Sequence, residues 1–198
     1  MKIKTYYAST DCLYDNVDAY LECLPLSLKR HVLQKKNRDA KVCSLGGALL
    51  LDIAASESGA DVSKVVYAEN GKPYIPDSDF YFSISHTKGY ASVSFGNAPS
   101  GCDIQITKDV NLKIAERFYS DEELSLVRNS NDKTDEFFKI WCRKESAYKL
   151  SGQIYCTEKN VEGLSFADYV IKDNLQMCVC TKEGTIFSPE TIDFNTVF

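Results

Sequence analysis

Within residues 100–152, two carboxylates, an amide and a lysine recur at spacings that could build one site. Gly101-Cys102-Asp103-Ile104-Gln105 alternates as a strand does. Successive strand side chains point to opposite faces, so Asp103 and Gln105 share one face and Cys102 and Ile104 the other. Trp141-Cys142-Arg143-Lys144-Glu145-Ser146-Ala147-Tyr148-Lys149 lies on a helical pattern beginning near Asp132. The helical period puts Phe138, Trp141, Glu145 and Tyr148 on one stripe, with Lys149 one turn beyond Glu145. A carboxylate in an aromatic, core-facing stripe is costly to desolvate unless a cation, a metal or a donor meets it. Asp103 is the candidate co-ligand. The chemistry such a set could do is metal or phosphate binding.

The rest of the chain must position these groups. Residues 2–8 read as a strand and 14–24 as a short helix. Residues 28–41 are locally basic, with Lys29, Arg30, Lys35, Lys36, Arg38 and Lys41 against Asp39. They form either a solvated helix face or an anion-binding wall. Val42, Leu45, Leu49 and Ile53 repeat at helical spacing over 41–57. That helix contains Gly46-Gly47, which costs about 1 kcal/mol per glycine relative to alanine, so a close neighbour is expected there. A strand at 65–68 leads into the turn-rich Glu69-Asn70-Gly71-Lys72-Pro73-Tyr74. Residues 81–85 alternate as a strand, with His86 at its end between Ser85 and Thr87. Such a histidine is either structural or placed to donate hydrogen bonds to phosphate oxygens. Residues 90–95 are the partner strand, and 96–100 the connection to a second half. There, 112–118 is helical, and Ser120-Asp121-Glu122-Glu123 is a capping box. A long helix over 132–150 stops at Ser151-Gly152. Alternating runs at 169–172, 175–180 and 185–187, with Asp173-Asn174 and Glu183-Gly184 between them, read as antiparallel strands. The order strand, helices, strands occurs twice, which suggests an α+β fold of two similar lobes, divided as 1–99 and 100–198.

Composition narrows the function classes. The 198 residues are long enough for a substantial core, and 44% hydrophobic with 26% charged residues is ordinary for a globular protein. A net charge of −5 argues against general nucleic-acid binding, which wants a basic footprint. No apolar run is long enough for a membrane span and no signal-peptide core opens the chain, so a cytoplasmic location is expected. The eight cysteines lack a C-x-x-C pair and only two histidines accompany them, so reduced, mostly buried thiols are expected rather than disulfides or a zinc site.

The G-x-D-(I/V)-x strand followed by W-x-x-K-E-(S/A)-x-x-K, with Gly71-Lys72-Pro73-Tyr74 and Phe82-Ser83-Ile84-Ser85-His86 upstream in the same order, resembles the 4′-phosphopantetheinyl transferases, specifically the Sfp-like two-lobed class. The likeness covers about residues 29–152. It implies a pseudo-dimer of two similar α/β lobes packed face to face, with the active site in the cleft between them. The implied enzyme is a holo-[acyl-carrier-protein] synthase type transferase. It moves the 4′-phosphopantetheine arm of coenzyme A to a serine of an apo acyl, polyketide or peptidyl carrier protein, and releases 3′,5′-adenosine bisphosphate. The resemblance assigns Mg²⁺ to Asp103 and Glu145, with Gln105 the third position. Glu145 is the implied general base, and Lys149 the stabiliser of the departing phosphate. Lys72 falls to the nucleotide end of coenzyme A, Ser85 and His86 to its phosphates, and Ser44 to a small hydroxyl position facing a phosphate. Residues 29–41 fall to the 3′-phosphate, and Glu123 to an acid near the metal or to its capping box alone. Carrier docking is expected near the cleft, against 112–130, and a monomer by analogy with the class.

Gln105 is the departure from the pattern. Many members carry glutamate there, and glutamine keeps an oxygen ligand but removes a charge. Two other readings follow: a non-catalytic relative that binds coenzyme A or a carrier protein, and an interaction protein in which Asp103 and Glu145 make ion pairs with Arg143 or Lys149.

Overall fold

The computed structural model describes residues 1–108, 110, 112–152, 161–172 and 174–198. The alternating start of the chain forms β1 (Lys2–Ser9), with Ile3, Thr5, Tyr6 and Ala8 buried. A short 3₁₀ turn and α1 (Val17–Glu22) occupy the stretch expected as one helix. The basic segment is split between α2 (Leu26–Leu33) and the start of α3 (Arg38–Ser58), where the Asn37 side chain accepts from the amide of Ala40. The two-residue strands β2 (Val66–Tyr67) and β3 (Pro73–Tyr74) flank the Lys72 turn, and β4 (Tyr81–Thr87) and β5 (Tyr90–Gly96) form the expected hairpin.

The first sheet is built on β1 and β5, which pair antiparallel, with β4 on the far side of β5. The glycine pair in α3 is what lets the helix lie against this sheet. A Cβ on Gly46 would stand 2.6 Å from the Thr10 side chain and 3.2 Å from Ala91, and one on Gly47 would stand 2.7 Å from Ile84. The close neighbour expected from the sequence is therefore the protein's own sheet. Leu45, Leu49, Val93, Phe95 and Phe194 belong to the core beneath it.

The second sheet contains β6 (Ser100–Ile106), β7 (Ser165–Lys172) and β8 (Leu175–Thr181), in the order β6-β8-β7, all antiparallel. Between β6 and β7 in sequence run α4 (Leu112–Phe118), α5 (Asp121–Asn129) and α6 (Lys133–Ser151). The capping box at Ser120 and Glu123 is formed on both sides. The expected boundaries of α6 hold: the Asp132 side chain accepts from the amide of Asp135 at 2.9 Å, and Gly152 closes the helix in the left-handed region at φ 73°. Gly101 lets this helix sit directly on β6, because a Cβ there would stand 1.9 Å from the carbonyl oxygen of Ser146 and 2.9 Å from the amide of Leu150. Backbone cannot yield as a side-chain tip can. Gly101→Ala should therefore destabilise the fold by about 3 kcal/mol, the upper end for overpacking, read as a lower denaturant midpoint with an unchanged slope.

Side-chain hydroxyls join the two sheets. Ser83 Oγ accepts from the amide of Cys102 at 3.1 Å, Ser85 Oγ from that of Ile104 at 3.2 Å and Thr87 Oγ1 from that of Ile106 at 3.4 Å. Alternate residues of β4 thus satisfy alternate amides of β6, each bond contributing about 1 kcal/mol net. Ser94 and Ser100 extend the seam with their own hydroxyl pair at 2.9 Å.

The C-terminal stretch departs from expectation. The run at 185–187 gives β9 (Thr185–Ile186), which pairs parallel with β1 in the first sheet rather than extending the antiparallel set. β10 (Glu190–Thr191) does the same further along β1, and α7 (Phe194–Val197) buries Phe194 in the first core. Alternation reports that a strand is half-buried, not which sheet it joins. Cys12, Cys23, Cys43, Cys102, Cys142 and Cys178 are free thiols, the last four of them buried. Among the described residues no helix is long and apolar enough to cross a membrane.

Candidate active site

Asp103 is the centre of the site. It lies on β6 with 1% of its surface exposed, where an unpartnered carboxylate would be untenable. Its partners come from three elements. Ser85 Oγ on β4 donates to Oδ1 at 2.8 Å, and Lys149 Nζ on α6 donates to the same oxygen at 2.7 Å. Gln105 Nε2, two residues along β6, donates to Oδ2 at 3.1 Å. Lys149 also donates to Ser85 Oγ at 2.6 Å. Burial opposes the charged form of Lys149, but the charge and hydrogen bond of Asp103, with Glu145 nearby, outweigh it and hold the ammonium pKa above its ordinary value. The strand reading is upheld: Asp103 and Gln105 share a face, while Cys102 and Ile104 are fully buried on the other.

Glu145 needs a correction. It is half-buried at the rim of α6, not in the middle of a core stripe. The buried residues of that helix are Phe137, Phe138, Ile140, Cys142, Ser146 and Ala147, with Trp141 and Tyr148 only half-buried. Close seating against Gly101 turns the Cys142–Ser146 side inward, one position round from the aromatic–Glu145 line. Desolvation, and then the negative charge of Asp103, still raise the Glu145 carboxyl pKa, partly offset by Lys149. Glu145, half-open and feeling the charge of the buried Asp103, is a place where a further cation would be welcome.

The first-sheet residues approach from several directions. Lys72 sits in a tight turn, with Gly71 in the left-handed region at φ 81° and the amide of Ala68 bonded to the Lys72 carbonyl. Its ammonium reaches the last turn of α6 and donates to the Leu150 carbonyl at 3.2 Å, and burial lowers its pKa. β4 runs through to Thr87, so His86 lies inside the strand rather than at its end. Ser85 and His86 therefore point to opposite faces. The His86 side chain is exposed, yet desolvation by the protein around it, then Lys149 and Lys35, lower its pKa. Ser44 is buried at 8% exposure, one turn before Gly47 on the side of α3 that meets β4; it is not a solvent-facing serine. Glu123, besides completing its capping box, pairs with Lys144 at 2.8 Å. Arg143 pairs with Asp168 and takes no part at Asp103.

Sequence reasoning missed His31. Its ring stacks on Tyr67 at 4.4 Å with 9° between planes, and burial, Lys35 and His86 lower its pKa. The one available signal was its place in the basic segment, one helical turn before Lys35. A cavity of about 530 Å³ at the N-terminus of α3 receives Lys36, Arg38 and Lys41, with Asp15 and Asp18 on its other wall. That part of the segment is thus a mixed-charge surface.

Comparison with known proteins bears on this arrangement. Residues 99–181, which hold β6, α6 and β8, match the family model of the 4′-phosphopantetheinyl transferase superfamily. The chain is 37% identical over 120 residues to the 4′-phosphopantetheinyl transferase Sfp of Bacillus subtilis, covering 58% of this chain and 54% of that protein. A 4′-phosphopantetheinyl transferase of Bacillus pumilus is 32% identical over 120 residues, covering 58% and 52%. The Aneurinibacillus migulanus 4′-phosphopantetheinyl transferase is 34% identical over 87 residues, covering 43% and 36%. Over residues 99–181 the chain is therefore similar to the 4′-phosphopantetheinyl transferase superfamily, and its fold is mixed α+β. It spans about half the length of the curated relatives it matches.

The family implies a magnesium ion. Asp103, Glu145 and the side-chain carbonyl of Gln105 offer oxygen alone, the donor type Mg²⁺ prefers. Among the described residues no group of three or more histidine, cysteine or acidic side chains could hold a metal. Two carboxylates are nonetheless enough for Mg²⁺, which characteristically keeps waters and shares its shell with substrate phosphates. The residues fit.

Proposed function

We propose that this protein transfers the 4′-phosphopantetheine arm of coenzyme A to a serine of an apo carrier protein. The observation that carries the proposal is the buried Asp103 of β6, bonded to Lys149 of α6, with Glu145 one helical turn from that lysine. In this reading the chain divides into lobes at 1–99 and 100–198, with 185–198 crossing back to the first sheet. The site lies in the cleft beside the β4–β6 seam. Asp103, Glu145 and the Gln105 carbonyl would hold Mg²⁺, which when bound neutralises pyrophosphate charge.

The chain's own groups do the rest. The carrier serine oxygen forms a bond to the β-phosphorus of coenzyme A, and the bond to the bridging oxygen breaks, leaving 3′,5′-adenosine bisphosphate. Glu145 takes the serine proton. Lys149 neutralises charge on the departing phosphate. Lys72 contacts the nucleotide end of coenzyme A. His86 and Ser44, on the α3 side of β4, contact phosphate, while Ser85 serves the phosphates through the lysine and carboxylate it holds. The protein acts as a cytoplasmic monomer, and its carrier docks against 112–130, where Phe118 and Leu126 are exposed.

The deciding experiment incubates the protein with coenzyme A, Mg²⁺ and a panel of apo fatty-acid, polyketide and nonribosomal-peptide carriers. Mass spectrometry should show a carrier gaining one phosphopantetheinyl group. Coenzyme A binding without transfer would favour a non-catalytic relative, a reading supported by the amide of Gln105 donating to Asp103 where a glutamate would repel it. No coenzyme A binding would sink both readings. Gln105→Glu restores a charge to the set. It should lower the Mg²⁺ concentration for half-maximal rate by about ten-fold, the effect of one further charge interaction of about 1.4 kcal/mol. An unchanged Mg²⁺ dependence would remove Gln105 from the metal shell.

A further inference from the structure

We propose that Lys149 is an exchangeable counter-ion of Asp103: its ammonium holds the carboxylate until a divalent cation displaces it, and the freed lysine then becomes available to phosphate. The inference rests on the proposed function for the identity of the cation, and on geometry for the exchange.

Oδ1 of Asp103 already accepts two hydrogen bonds, from Ser85 and Lys149, and Oδ2 accepts one from Gln105. The Ser85 hydroxyl is equally committed. It donates its one proton to Asp103 and accepts from Lys149 and from the amide of Ile104, which uses its full capacity. A cation arriving at Oδ1 therefore meets an ammonium in place, and two cations on one buried oxygen repel strongly at low dielectric. One of them must leave.

The two ends of the pair differ in freedom. The Asp103 side chain is 2% exposed and fixed on β6 between β4 and α6, whereas that of Lys149 is 24% exposed and carries a flexible four-carbon stem. The lysine is the partner that can swing out. Charge points the same way. With glutamine at 105, two carboxylates and one ammonium leave a single net negative charge. A dication that replaces the ammonium on Asp103 meets two carboxylates, but one that joins it meets a carboxylate already compensated. The exchange turns one event into two: filling the carboxylate site releases the group that would meet the phosphate.

The test measures metal binding, without transfer. Manganese titrations followed by the electron spin resonance of free Mn²⁺ would compare the wild-type chain, Lys149→Met and Asp103→Asn, all without coenzyme A. Lys149→Met should bind Mn²⁺ about ten-fold more tightly or better, because a competing charge is gone, and Asp103→Asn should bind it more weakly than wild type. Equal or weaker binding by Lys149→Met overturns the proposal. Should that variant fold poorly, lysine ¹⁵Nζ resonances of the wild-type chain decide. Added Mg²⁺ should shift the Lys149 signal and speed its proton exchange with water, and an unmoved signal overturns the exchange. Failure of carrier modification alongside tighter Mn²⁺ binding by Lys149→Met would fell the transferase reading and leave the exchange standing. Normal transfer with no gain in Mn²⁺ affinity would do the reverse.

Discussion

Glu145→Gln is expected to cut phosphopantetheinyl transfer by about 10²–10⁴-fold, the range for loss of a positioned general base, while the protein keeps its fold. Glutamine has the shape of the protonated acid, so it keeps the rim position on α6 and removes both the base and a metal carboxylate. The stability side follows from linkage. The folded-state pKa of Glu145 is raised, first by desolvation and then by Asp103. Its protonated form is therefore favoured by folding, and that contribution is present below the unfolded pKa and lost as pH rises through the folded one. The glutamine variant carries no charge there for burial to oppose at any pH. Its thermal midpoint should equal or exceed that of the wild type at pH 7, in contrast to its rate. Single-turnover transfer to a carrier, with circular dichroism melts on the same sample, checks both. A wild-type rate would remove Glu145 from the chemistry, and a collapsed melt would make it a structural residue.

The elements were legible wherever the cause is local. Alternation fixed the faces of β6, and the Ser151-Gly152 stop signal fixed the end of α6, where Gly152 is left-handed. The glycine pair of α3 announced a close approach, and the sheet supplies it. Partnership was less legible, because it depends on which distant segments meet. Asp103 and Lys149 are 46 residues apart, and no periodicity says that the lysine turns toward Asp103 and Ser85. The hydroxyls at 83, 85 and 87 carried a usable signal, since polar side chains at alternate positions of a buried strand must bond to something. What they bond to, the amides of β6, needs the fold. Glu145 was misplaced by one step round its helix, because which side of α6 turns inward is decided by Gly101 on another strand. The parallel pairing of β9 and β10 with β1 was hidden for the same reason: alternation is blind to partner and direction.

Asp103→Asn is the second large effect, and it separates pairing from catalysis. Asparagine keeps the volume but removes the charge that offsets the Lys149 ammonium, and it presents a donor-bearing amide to two existing donors, Lys149 and Gln105. Breaking one side of a buried ion pair costs about 3–5 kcal/mol, and the partial exposure of the lysine places this pair at about 3 kcal/mol. Transfer should also fall to background, since a metal carboxylate is gone. Loss of rate alone does not reveal why, so the informative comparison is the cycle that adds Lys149→Met. If the lysine's uncompensated charge is the cause, Asp103→Asn and Lys149→Met together should cost clearly less than the sum of the two singles, recovering about 1–3 kcal/mol of interaction energy, while transfer remains absent. Urea denaturation of the four proteins at low and high salt measures this. Strict additivity would mean that the charge of Asp103 does not stabilise Lys149. Recovery of stability without recovery of transfer would assign the ion pair to the fold and the free carboxylate to the chemistry.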